Sequence, residues 1–158
     1  MPDRQNADRS QRVWFRLIRL EARMQAAVSE RLREIGVSIP QCDVLTTLTE
    51  QEGVSQQELA TRLYVTKGNI SGLIDRLAEA DLVERRSTAS DRRQYAIYLT
   101  EAGRAIAERA IDVQRRWIAS TLGRMTEPDL EALEAKLVVL RDIVREAETP
   151  EPAGAAKG

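Results

Sequence analysis

The residues best placed to do chemistry lie in the segment VTKGNISGLIDRL, which runs from Val65 to Leu77. Ile70, Leu73, Ile74 and Leu77 recur at spacings of three, one and three, as the buried face of a helix does. At about 100° per residue, the opposite face carries Gly68, Gly72, Asp75 and Glu79, flanked by Asn69, Ser71 and Arg76. Glycine inside a helix costs about 1 kcal/mol against alanine, so this face is expensive as a helix surface. Small hydrogen-bonding residues bounded by Lys67 and Arg76 suit insertion into a DNA major groove. Thr66 can cap the helix by accepting from a free N–H of its first turn. The expected contact set is Thr66, Lys67, Gly68, Asn69, Ser71, Gly72 and Arg76, with Arg76 better suited to a phosphate or a bracing role than to base readout.

A second charged cluster follows. The stretch LVERRSTASDRRQYAIYLT reads as two strands, Leu82–Arg86 and Gln94–Leu99, around a polar loop. Tyr95, Ile97 and Leu99 alternate against Ala96 and Tyr98, the pattern of a half-buried strand. Arg85, Arg86, Arg92 and Arg93 face a single acid in the loop, Asp91. This is a basic wing: Arg86, Arg92 and Arg93 are its expected DNA contacts, and Arg93 is placed to enter a minor groove. Asp91 would repel phosphate, so its expected role is to hold the wing by pairing with an arginine or capping loop amides.

The elements that position these residues are also written locally. VSQQELATRL opens with a capping box, Ser55 with Glu58, and a hydrophobic staple, Val54 with Leu59. Tyr64 and Val65 turn the chain into the next helix, and two short helices so joined make a helix-turn-helix. At these residues the chain resembles the MarR family of winged-helix transcription regulators. The resemblance rests on the D-x-R motif at Asp91–Arg92–Arg93 and on the following Leu99–Thr100–Glu101–Ala102–Gly103–Arg104. It rests also on V-T-x-x-x-I-S-x-L-I-D-R-L leading into L-V-E-R, and on the earlier I-P-Q-x-D-V-L, and it covers roughly residues 13–146. It implies a homodimer on pseudo-palindromic double-stranded DNA, usually a repressor released by a small molecule or an oxidant. It also implies a ligand cleft between outer helices and the winged region, for which Trp14, Ile18 and Cys42 are candidates. Two rival readings are a winged-helix DNA-binding protein without an effector and a winged-helix protein–protein interaction module. Lys67, the arginine-rich wing and the glycine-lined face weigh against the second.

Composition sets the outer bounds. The chain has 158 residues, enough for one domain with a dimerisation extension. With 42% hydrophobic and only 4% aromatic residues, its core must rest on Leu, Ile, Val and Ala, which suits helices. No apolar run is long enough for a membrane span, the N-terminus lacks a signal-peptide core, and one cysteine cannot form an internal disulfide, so a cytoplasmic location is expected. There is no histidine, no nitrogen–sulfur metal cluster, no phosphate-binding glycine loop and no nucleophile elbow. No enzyme and no cofactor are expected. Net charge is only −1, but its placement is uneven: residues 36–61 hold four acids and no base, and residues 62–93 seven bases against five acids. Local positive charge, rather than a high isoelectric point, would direct the protein onto DNA.

In chain order, residues 1–9 are expected to be disordered. A long helix from about Ser10 to Ile35 carries Val13, Leu17, Leu20, Met24, Val28, Leu32 and Ile35 on one stripe, with Trp14 and Ile18 beside it, and ends at Gly36. A capping box at Ser38–Gln41 with Pro40 starts the next helix. After the wing, Thr100 caps a helix through Ile106, Ala110, Val113 and Trp117, and a last helix carries Leu130, Leu133, Leu137, Leu140 and Val144. The expected architecture is mainly α with a small β-hairpin wing. Residues 10–36 and 101–147 form a helical dimerisation region, 37–100 a winged helix-turn-helix, and 148–158 a disordered tail. Cys42 occupies the staple position opposite Val37, which favours packing over redox sensing.

Overall fold

The computed structural model describes residues 4–87 and 95–148. Six helices and three short strands follow in the order α1 (Arg4–Arg33), α2 (Ile39–Glu50), β1 (Val54–Ser55), α3 (Gln56–Arg62), α4 (Lys67–Glu79), β2 (Val83–Ser87), β3 (Tyr95–Leu99), α5 (Glu101–Ser120) and α6 (Glu127–Glu148). This is a mainly helical fold with an antiparallel three-stranded sheet ordered β1-β3-β2. The two-residue β1 was not foreseen as a strand, because two residues carry no period. It forms because Val54 and Ser55 find Ile97 and Ala96 across the ladder. That puts β3 at the centre of the sheet and breaks the expected alternation: Ala96 is buried as well as Ile97 and Leu99, while Tyr95 is exposed.

The two capping boxes read from the sequence start α2 and α3. In both boxes the serine amide is answered by the third residue's side chain, Ser38 by Gln41 at 2.9 Å and Ser55 by Glu58 at 2.7 Å. Helix α1 begins at Arg4, earlier than the expected start near Ser10, so residues 4–9 are helical. Ser10 does not cap: its hydroxyl donates back to the Asn6 carbonyl at 2.8 Å, inside the helix. At the other end Gly36, at φ +84°, closes α1 with bonds from Val37 N–H to Leu32 O and from Gly36 N–H to Arg33 O.

Two compact units result, Met1–Arg116 and Trp117–Gly158. The first has a core of Leu32 from α1, Val44, Leu45 and Leu48 from α2, Leu59 from α3, Ile70, Leu73, Ile74 and Leu77 from α4, Ile97 and Leu99 from β3, and Ala107 and Ala110 from α5. Each such leucine or isoleucine contributes roughly 1.5–3 kcal/mol by leaving water. Helices α1 and α5 supply part of the core of the winged region, through Leu32, Ala107 and Ala110. The start of α5 is sealed to it: a Cβ on Gly103 would lie 1.8 Å from the Leu82 carbonyl oxygen, and Arg104 pairs with Glu52 at 2.9 Å.

Only the C-terminal half of the α1 stripe is covered. Val28 and Ile35 pack against the core, whereas Val13, Trp14, Phe15, Ile18 and Leu20 are exposed. In the second unit, Thr126 caps α6 by accepting from Asp129 N–H at 3.4 Å. No residue of α6 is buried, and Leu137, Val138, Val139, Ile143 and Val144 all face outward. No helix among the described residues is long and apolar enough to cross a membrane.

Candidate nucleic-acid interface

Helix α4 is the centre of the site. Its N-cap is Thr66, whose hydroxyl accepts from Asn69 N–H at 3.3 Å, and its apolar face Ile70, Leu73, Ile74 and Leu77 is fully or almost fully buried. Burying that face fixes the helix about its axis, so the other face has to point out. Lys67, Gly68, Asn69 and Arg76 are exposed, and Ser71 and Gly72 are half-buried. A shallow groove of about 320 Å³ opens along it, lined by Pro40, Val65, Gly68, Asn69, Gly72, Leu73 and Arg76. A Cβ added to Gly68 would meet nothing within 4 Å, and one on Gly72 only the tip of Arg76 at 3.8 Å. Packing within the chain therefore does not require either glycine.

The turn into α4 has its own strain. Helix α3 ends in paired bonds from Val65 N–H to Ala60 O and from Tyr64 N–H to Thr61 O, with Tyr64 at φ +54°. Tyr64 is 97% exposed. At the far end α4 closes the same way, with Asp81 at φ +56° and Leu82 N–H bonded to Leu77 O.

The wing base is tied to the helix by a pair that sequence reasoning missed. Asp75 of α4 accepts from Arg85 of β2, ten residues on. The sequence leaves Arg76 open between a phosphate contact and a bracing role; here Asp75 pairs with the sheet and Arg76 is exposed. Arg86, expected as a DNA contact, pairs with Glu84, and its guanidinium lies 4.3 Å over the Tyr98 ring. Under the sheet, Glu52 accepts from Leu99 N–H at 2.8 Å. That bond first, then Arg104 and the more distant charge of Arg86, hold the Glu52 carboxyl below its ordinary range. Asp91, Arg92 and Arg93, the expected wing residues, lie outside the described residues.

The three effector-pocket candidates do not share a surface in the single chain. Trp14 and Ile18 are exposed on α1, whereas Cys42 is wholly buried in the core. Burial, with the neighbouring Asp43 adding to it, pushes the Cys42 thiol up to about 11. A thiol held protonated is a poor nucleophile toward oxidants. Among the described residues, no cluster of three acidic, cysteine or histidine side chains could hold a metal ion.

With the geometry in place, similarity to known proteins narrows the reading. The family model described as "MarR family" matches residues 35–94, which take in α2, the helix-turn-helix and β2. The HTH-type transcriptional repressor Rv2887 of Mycobacterium tuberculosis is 33% identical over 114 residues, covering 72% of this chain and 82% of the relative. An uncharacterized HTH-type transcriptional regulator of Bacillus anthracis is 33% identical over 102 residues, 65% of this chain and 67% of the relative. Among solved structures, a MarR family transcription regulator, SP03579, superposes with a TM-score of 0.82 at 22% identity, over 91% of this chain and 96% of the other. The transcriptional repressor CouR, bound to a 23-mer DNA duplex, superposes with a TM-score of 0.74 at 27% identity, over 85% and 94%.

Proposed function

The chain belongs to the MarR family of transcription regulators, and from that premise we propose that it is a repressor that binds pseudo-palindromic double-stranded DNA as a homodimer. The observation that carries the DNA reading is the α4 face. Two glycines there raise the cost of the helix by up to about 1 kcal/mol each, and no contact among the described residues explains them. A surface kept free of Cβ atoms, rimmed by Lys67 and Arg76 and lined by Asn69 and Ser71, lets a base-pair edge approach the helix backbone. Thr66, Asn69 and Ser71 would then donate to and accept from base edges or nearby phosphates.

Asp75–Arg85 and the Arg86–Tyr98 stack support a wing carried at a fixed angle to α4. Arg92 and Arg93 would reach the flanking minor groove from its tip, with Asp91 holding the tip together. Dimerisation is supported by the apolar residues left uncovered on the first half of α1 and along α6. A two-fold dimer placing α4 in successive major grooves needs half-sites about 10 base pairs apart. Release by a small-molecule effector is preferred to release by an oxidant, because Cys42 is buried and protonated.

The test uses labelled duplexes from the gene's own promoter region, with binding followed by fluorescence anisotropy across a salt series. Wild type should bind one fragment specifically, and sedimentation should give a dimer at micromolar concentration. Gly72→Glu puts bulk and negative charge on the groove face, so it should abolish specific binding while the dimer stays folded. Specific binding that survives Gly72→Glu unchanged would remove α4 from the interface.

A further inference from the structure

Tyr64 is unlike the other residues that end helices here. Three helix ends use a backbone with positive φ near +55° to +84°: Gly36, where this is free of strain, Asp81, and Tyr64 at +54°. A bulky aromatic residue is among the least suited to that conformation. The backbone bonds that close α3 need that conformation but not a tyrosine, and the side chain adds no packing: Tyr64 is 97% exposed, more than any other large apolar side chain described. Its phenol has no hydrogen-bond partner among the described residues. The next residue, Val65, lines the groove of α4 together with Gly68, Asn69 and Gly72. A strained, unpacked aromatic side chain thus stands beside the α4 face, whose two glycines no packing among the described residues explains. Strain of this kind is held by the surrounding structure and clusters at ligand-binding sites.

We propose that Tyr64 is a DNA-backbone contact, its phenol O–H donating to a phosphate oxygen at the edge of the major groove that receives α4. This rests on the DNA-binding reading above and adds a residue to it. The first residues of a recognition helix meet base edges, whereas the turn before it lies where the groove meets the backbone, and tyrosine is among the side chains that donate to phosphate. A phenol is neutral. Its contact displaces no counterion, which separates it from every arginine or lysine contact in the same interface.

The experiment compares wild type, Tyr64→Phe and Tyr64→Gly in the full-length protein, on the operator fragment that wild type binds. Tyr64→Phe keeps the ring and the strain but removes the donor; affinity should fall roughly tenfold with the slope of binding against salt unchanged. Tyr64→Gly should lose at least as much affinity while its melting temperature rises, because glycine relieves the positive φ. Tyr64→Phe binding as tightly as wild type, or Tyr64→Gly keeping wild-type affinity, overturns the proposal while leaving the DNA-binding reading intact. Wild type binding no promoter fragment overturns both.

Discussion

Helices α4 and α5 begin alike and end up doing opposite things. Each starts with a threonine whose hydroxyl accepts from the amide three residues on, Thr66 from Asn69 at 3.3 Å and Thr100 from Gly103 at 2.9 Å. Each carries glycine within its first two turns. In α5 the glycine is demanded from inside, since its Cβ would fall 1.8 Å from the Leu82 carbonyl oxygen. In α4 the space above Gly68 is empty and that above Gly72 nearly so. One glycine lets two parts of the chain touch, and the others leave a surface open. The surroundings add to the contrast: Thr100 also donates to Asp81 O at 2.6 Å and Arg104 pairs with Glu52, so the start of α5 is bonded into the protein.

The contrast is sharpest in the response to one added methyl group. Gly103→Ala should destabilise the protein by about 3 kcal/mol or more, because a backbone carbonyl rather than a flexible side chain stands in the way. Urea unfolding measures it; a loss under about 1 kcal/mol would mean that α5 can lift from Leu82 at little cost. Gly68→Ala should have the opposite sign, stabilising by up to about 1 kcal/mol in the same measurement while weakening operator binding. A variant both more stable and equally tight on DNA would remove the explanation offered for that glycine.

Acid tests the α5 side through Glu52, alongside Glu58, which its bond from the Ser55 amide in the α3 cap also holds below its ordinary range. The Glu52 carboxyl is held below its ordinary range in the folded protein. Its contribution is therefore present at neutral pH and is lost as pH falls through the depressed range, where the folded carboxylate takes up its proton. Glu52→Gln should flatten the acid limb of stability against pH, measured by thermal melts, and leave operator affinity at neutral pH unchanged. A full acid limb in that variant would place the responsible carboxylate elsewhere. The smallest effect is expected at Cys42. Hydrogen peroxide at concentrations that oxidise exposed thiols should leave operator binding unchanged in wild type and in Cys42→Ser alike, because the thiol is buried and stays protonated. Peroxide release of wild type but not of the variant would make Cys42 a sensor.

What could be read without the fold was local in origin. The two capping boxes, the Thr66 cap and the buried stripe of α4 depend on residues three or four positions apart, whose distances a helix sets by itself. The helix-turn-helix followed from them. Arg86 was harder to place: its type and its position on the hairpin suited DNA, and only Tyr98 on the neighbouring strand, twelve residues on, shows where its guanidinium lies. The stripe of α1 was periodic from end to end, yet Leu32 is buried and Val13 exposed, since periodicity reports a face and not what covers it.

The sequence by itself determined that this chain makes capped amphipathic helices around a basic hairpin and that the α4 face opposite Ile70, Leu73, Ile74 and Leu77 is small and polar. The reason is that helix capping and helix amphipathicity act within one turn or two of backbone. Tertiary structure alone decided that Gly103 seals a contact while Gly68 keeps a surface open, and that Asp75 pairs with Arg85 of the wing's first strand. It also decided that Tyr64 ends α3 in a strained conformation with nothing packed against it. Each of these depends on what lies across a gap of ten or more residues, or on nothing lying there, and no spacing along the chain encodes that.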